Sequence, residues 1–187
     1  LEARGGALAA YPGAADRGAM RRAAATSRIL ATLRFFWNSR QGPEPDATGY
    51  YGFYYHFLDM QTGRRAWDCE LSTVDSAILL AGVLTAGIYF DAQTKEEEEI
   101  RRLSDALYRR ADWQWAQNSG STVTHGWKPE SGFLTWRWAG YAEALLVYRR
   151  GLGSPSHRLP DARHAAWSSP SGWKPIYGFT LTSTAPT

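Results

Sequence analysis

Between Ser72 and Asp91 the chain is apolar on nearly every side of a helix, and nothing else in the sequence restricts its possible folds as much. Val74, Ala77, Ile78, Leu79, Leu80, Val83, Leu84, Ile88 and Tyr89 leave no continuous polar stripe. Such a helix is expected to be buried among other helices. Helical periodicity recurs elsewhere. Ile29, Leu30, Leu33, Phe36 and Trp37 fall at three- and four-residue steps and predict a helix from about Asp16 to Ser39. Thr94 and Glu97 have capping-box spacing and open a third helix, to about Trp115, with Ile100, Leu103, Leu107 and Tyr108 inward. Glu96 to Glu99 read as a solvated acidic first turn that suits the helix dipole. A fourth helix is expected from about Tyr141 to Arg150, stopped by Gly151 or Gly153, and a short fifth within residues 159–167.

Long aromatic loops separate these helices. The stretch 49–60 is too aromatic and too β-prone for a helix, Gln61 to Gly63 reads as a turn, and Arg64 to Trp67 as a return. A short hairpin or an extended loop pair is expected there. Residues 117–139 form a second loop region of the same kind. The fold class expected is therefore all-α, with extended aromatic segments gathered on one face.

Composition narrows the function. The chain holds nine Trp, ten Tyr and seven Phe. Many of these rings sit beside Gly, His, Lys and carboxylates rather than at helical spacing. Rings in polar loops suit a ligand with flat apolar faces and many hydroxyls, which describes a sugar. A net charge of +3, from 21 basic and 18 acidic residues, is too balanced for nucleic acid. Cys69 is the only cysteine, so no intrachain disulfide is possible. No apolar run has transmembrane length, so no membrane partner is expected. No His, Cys and carboxylate group has metal-site spacing, and there is no phosphate-binding glycine loop or serine elbow. Neither a metal nor a cofactor is expected.

Glycosidic bond cleavage needs two carboxyl groups, one to protonate the leaving oxygen and one to activate water or attack carbon. Asp75 stands three residues after Ser72, so it either closes a capping box or takes part in chemistry. Asp68 and Glu70 flank Cys69, on one side of an extended stretch. Glu143 is expected in a first helical turn, directly after the loop carrying Trp136 and Trp138. Glu130 and Lys128 lie beside Trp127. His56 and His125 could each hydrogen-bond a sugar hydroxyl or serve the fold. Tyr54, Trp67, Trp127 and Trp138 are the candidate sugar platforms.

Four strings make a specific pattern: GYYGFYYHFLDMQTGR at 49–64, CELSTVDSAILLAG at 69–82, THGWKPESGFL at 124–134 and GLGSPSH at 151–157. In this order they resemble the bacterial glucoamylase-like domain family, over about Ile29 to Tyr177. The resemblance implies an α/α six-hairpin toroid acting on glucans. It is shared with endo-β-1,2-glucanases and with the transglycosylase domain of cyclic β-1,2-glucan synthases. It implies active-site acids within Asp68–Asp75 and at Glu143, hence Glu143, Asp75 and Glu70 as catalytic candidates. Asp68, Glu130, His56, His125, Tyr54, Trp67, Trp127, Trp138 and Lys128 are then substrate-binding candidates. One branch has an Asp three residues before the acid matching Asp75. This chain has Ser72 there, so that branch's arrangement is not carried over whole.

Family domains continue past the position of Tyr177 and begin with a further hairpin upstream. The expectation is thus a frayed segment 1–15, a partial toroid over 16–178 and an irregular tail at 179–187. Exposed apolar helix faces would favour self-association. The expected partner is a glucan oligosaccharide or polysaccharide, in the periplasm or outside the cell if the chain follows the hydrolase branch. The function expected is glycoside hydrolysis, and the alternative is a glycan-binding fragment without turnover.

Overall fold

The computed structural model describes residues 22–140, 143–168 and 171–184. They divide into two compact units, one comprising residues up to Asn38 with Val83–Ala106, the other Ser39–Gly82 with residues from Leu107 onward. Helix α1 (Arg22–Asn38) belongs to the first. Helices α2 (Thr73–Tyr89) and α3 (Lys95–Arg110) contribute residues to both.

In the first unit, α1 buries Ala25, Thr26, Leu30 and Leu33, while Phe35 and Trp37 are exposed. Thr94 caps α3 by accepting the Glu97 amide at 3.3 Å. The acidic turn is not simply solvated, as expected from sequence. Glu97 is buried and accepts from Arg22 through Nε at 2.7 Å and Nη2 at 2.5 Å. The Arg22 hydrogen bonds hold the Glu97 carboxyl below its ordinary range, against the opposing effect of burial.

The second unit corrects the all-α expectation and its toroid. It contains a five-stranded antiparallel sheet in the order β1 (Gly49–Tyr50), β2 (Phe53–Tyr55), β3 (Leu71–Ser72), β4 (Gly126–Lys128), β5 (Gly132–Phe133). Each strand is two or three residues long, too short to print an alternating pattern. The strands come from separate stretches of chain, so only tertiary pairing reveals them. The expected return at Arg64–Trp67 is present as an antiparallel bridge between Leu58 and Arg65. An additional hairpin turns at Tyr51 and Gly52, both with positive φ. A Cβ at Gly52 would stand 2.5 Å from the Arg110 carbonyl oxygen and 2.6 Å from Ala111 backbone atoms, so only glycine fits there.

Helix boundaries shift in informative ways. The third predicted helix breaks after Arg110, and α4 (Trp113–Gln117) restarts it with Asp112 as N-cap. Helix α5 covers Leu145–Gly153 and α6 covers Ala162–Ser168. The core of this unit holds Phe53 edge-on to Trp113 at 5.1 Å, with Leu71, Val123, Val147, Tyr148 and Leu159 fully buried. Each such apolar side chain contributes about 1.5–3 kcal/mol. Strands β6 (Ser171–Ile176) and β7 (Phe179–Thr184) form a separate hairpin, where the sequence suggested an irregular tail from 179. The expected frayed segment 1–15 lies outside the described residues.

Helix α2 also departs from expectation. Ala77, Leu80 and Val83 are buried, but Ile78 is 48% and Ile88 81% exposed. Apolar periodicity shows which sides of a helix could be covered; it does not show that one chain covers them all.

Candidate active site

The strand register builds the site. Tyr55 pairs with Leu71, Leu71 with Trp127 and Trp127 with Phe133. Residues directly opposite across antiparallel strands share a face. These apolar residues therefore line one face of the sheet. Tyr54, Ser72 and Gly126, the neighbouring paired row, belong to the other. One step further along, the His56 amide donates to the Glu70 carbonyl at 2.9 Å. Alternation returns His56, Glu70 and Lys128 to the face of Tyr54 and Ser72. A polar row thus ends beside the start of α2.

The imidazole of His56 lies between two carboxylates. Its Nδ1 is 2.9 Å from Glu70 Oε1, and its Nε2 is 3.7 Å from Asp75 Oδ2. Burial pushes the Glu70 carboxyl up, but the His56 hydrogen bond, a backbone hydrogen bond and the charges of His56 and Lys128 outweigh it. Its pKa is held below the ordinary range, so Glu70 is ionised at neutral pH. Asp75 accepts from the Ser72 hydroxyl at 2.5 Å, and the Ser72 oxygen accepts the Asp75 amide at 3.3 Å. The cap is real, yet the Asp75 side chain remains 44% exposed. Capping and chemistry were posed as alternatives from sequence, and this geometry is compatible with both.

Burial lowers the His125 pKa, and the negative charges of Glu143 and Glu70 act against that shift. Its ring stacks on Trp138 at 3.8 Å, and Trp138 Nε1 donates to Thr73 Oγ1 at 2.9 Å. Glu143 does not occupy a first helical turn. It precedes Ala144, the N-cap of α5, and is exposed.

The remaining candidates separate. Trp67 is 83% exposed and meets Phe57 edge-on at 5.1 Å, while Phe57 stacks on His56 at 4.3 Å. Asp68 is exposed beside it. Tyr54 is buried, with its hydroxyl accepting from Arg110 at 2.5 Å, which removes it from the platforms. Trp127 lies on the opposite sheet face, among Tyr50, Trp115 and Phe133. Glu130 is held by Arg65 through two hydrogen bonds, at 2.5 and 3.0 Å. Sequence reasoning missed Phe57 and Arg65. Phe57 could have been found from its place beside His56; Arg65 carried no local signal. Among the described residues no group of three or more His, Cys, Asp or Glu could hold a metal ion.

No family model matches the chain. It is 24% identical over 164 residues to an exo-β-1,2-glucooligosaccharide sophorohydrolase of Parabacteroides distasonis, which covers 82% of this chain and 22% of that protein. The fold matches a glucoamylase-like protein of Bacteroides uniformis with a TM-score of 0.78 at 24% identity, covering 91% of this chain and 42% of that one. It matches an endo-β-1,2-glucanase of Chitinophaga pinensis, solved with sophorotriose and glucose, with a TM-score of 0.78 at 22% identity, covering 92% and 41%. The chain is similar in sequence to a β-1,2-glucan hydrolase and in fold to glucoamylase-like and β-1,2-glucanase proteins. That relationship bears out the resemblance carried by the four strings. The chain spans 22% of the length of the curated relative it matches.

Proposed function

We propose that this chain carries part of the catalytic face of a glycoside hydrolase-like protein acting on β-glucan, specifically β-1,2-glucan. The observation that carries this reading is the polar row of the sheet, which sets Glu70, His56 and Asp75 together beside the exposed Phe57 and Trp67 rings. The relatives support the substrate class, since the sophorohydrolase and the endo-glucanase both act on β-1,2-linked glucose, as their names state.

Roles follow from chemistry. Glu143 protonates the leaving glycosidic oxygen. Asp75 serves as the second carboxylate, which activates water or attacks the anomeric carbon. Glu70, ionised and bound to His56, orients the imidazole and keeps the site negative. His56, His125 and Lys128 offer hydrogen bonds to sugar hydroxyls, with Asp68 at the margin. Trp67 and Trp138 supply ring faces for the C–H faces of glucose.

Product analysis tests this. The chain incubated with linear β-1,2-glucan should release short oligosaccharides, with none from an α-1,4-glucan. Asp75→Asn and Glu143→Gln should each lower the rate about 10²–10⁴-fold, the range for loss of a general acid or base. A folded sample that releases nothing from either glucan, or variants that keep the full rate, would overturn the assignment.

A further inference from the structure

We infer that Arg65 and Glu130 are positioning residues that pin the loop carrying Trp67, so that the ring stands out to meet a sugar. The inference rests on the proposed reading of Trp67 as a sugar platform. The backbone at Trp67 and Asp68 has φ of 54° and 48°. Two successive left-handed residues are the signature of a tight turn that favours glycine, and here neither is glycine. Such a conformation persists only when its surroundings hold it. The Cys69 amide closes the turn onto the Ala66 carbonyl at 3.2 Å.

Arg65 provides the hold. Its side chain is 1% exposed, whereas that of Glu130 is 51% exposed. Arg65 Nε donates to the Cys69 carbonyl at 2.6 Å, on the far side of the turn. Its two terminal nitrogens donate to Glu130, which belongs to the β4–β5 connection 65 residues away. Its guanidinium lies 5.0 Å from the centre of the Tyr55 ring. One planar cation therefore ties the turn to a strand and to a distant hairpin. Arg suits this task because its rigid fork binds carboxylate with two parallel hydrogen bonds. The Cys69 thiol, buried at the end of the same turn, accepts from the Phe57 amide at 3.2 Å. Release of the pin would loosen the Phe57–Trp67 contact and uncover this thiol.

The single cysteine makes the test independent of turnover. Glu130→Ala should raise the rate of Cys69 modification by a soluble thiol reagent about tenfold, and Trp67→Ala should not. With β-1,2-glucan, Glu130→Ala should raise KM several-fold, with a smaller effect on kcat. The double variant should be no worse than Trp67→Ala alone, because residues acting through one another are non-additive. Glu130→Gln, which keeps one hydrogen-bond acceptor, should recover part of both effects. Wild-type labelling in Glu130→Ala, or KM effects that add with those of Trp67→Ala, would overturn the inference. Faster labelling in a chain that neither binds nor cleaves glucan would uphold the pin and reject the glucan reading instead.

Discussion

Two of the left-handed turns in the second unit that are led by an aromatic residue, at Tyr51 and at Trp67, are put to different use. At Tyr51–Gly52 the second position is glycine, the Arg110 and Ala111 backbone abuts it, and the Tyr51 ring stacks on Trp115 at 4.6 Å. At Trp67–Asp68 neither position is glycine, and the Trp67 ring, 83% exposed, meets Phe57 edge-on as its one ring contact among the described residues. The first turn places only one non-glycine residue in the left-handed region, and its ring is stacked although 41% exposed. The second is strained and its aromatic residue is presented. An exposed ring held by unfavourable backbone geometry contributes little to folding, which favours a ligand-facing role; a stacked ring on a glycine turn is explained by packing alone.

Substitutions at these turns should separate the two roles. The largest effect is expected from Gly52→Ala, which combines positive φ with backbone overlap. Its cost should be about 3 kcal/mol, measured by chemical denaturation. Tyr51→Ala should follow, at roughly 1 kcal/mol from loss of its stack, with KM for glucan unmoved. Trp67→Ala should reverse that pattern, leaving the melting temperature in place while raising KM. Asp68→Gly should stabilise by less than about 1 kcal/mol, since relief of the left-handed penalty is partly offset by unfolded-chain entropy. If Trp67→Ala destabilises as much as Tyr51→Ala does, the distinction between the turns collapses.

The smallest effect concerns pH. The folded pKa of Glu70 is depressed relative to the unfolded chain, with burial opposed by His56 and Lys128. Its contribution to stability is complete above the ordinary glutamate range and is lost as pH falls through the depressed value. Melting curves should therefore show Glu70→Gln losing less stability than wild type over that acid interval, and matching its slope above neutrality.

Local rules read the helices well. The Thr94 and Ser72 caps, the buried Ile100, Leu103, Leu107 and Tyr108, and the end of α5 at Gly153 all follow from short-range chemistry. The sheet escaped because no single strand is long enough to alternate visibly. For the site, the cluster of His56, Glu70 and Asp75 was partly legible, since residue type and loop context marked each one. Tyr54, Trp127 and Glu130 looked equivalent to them in sequence. Burial, the opposite sheet face and Arg65 set them apart.

The sequence by itself determined where α2 and α3 begin, which residues are apolar enough to pack, and that aromatic and carboxylate groups share the same loops. Those properties depend on neighbours a few residues away. Only the tertiary structure decided which ring faces solvent, which carboxylate meets His56 and which meets Arg65, and that three distant segments form one sheet. A side chain's face and partner depend on pairing register and on groups tens of residues distant, and such pairings leave no trace in local composition.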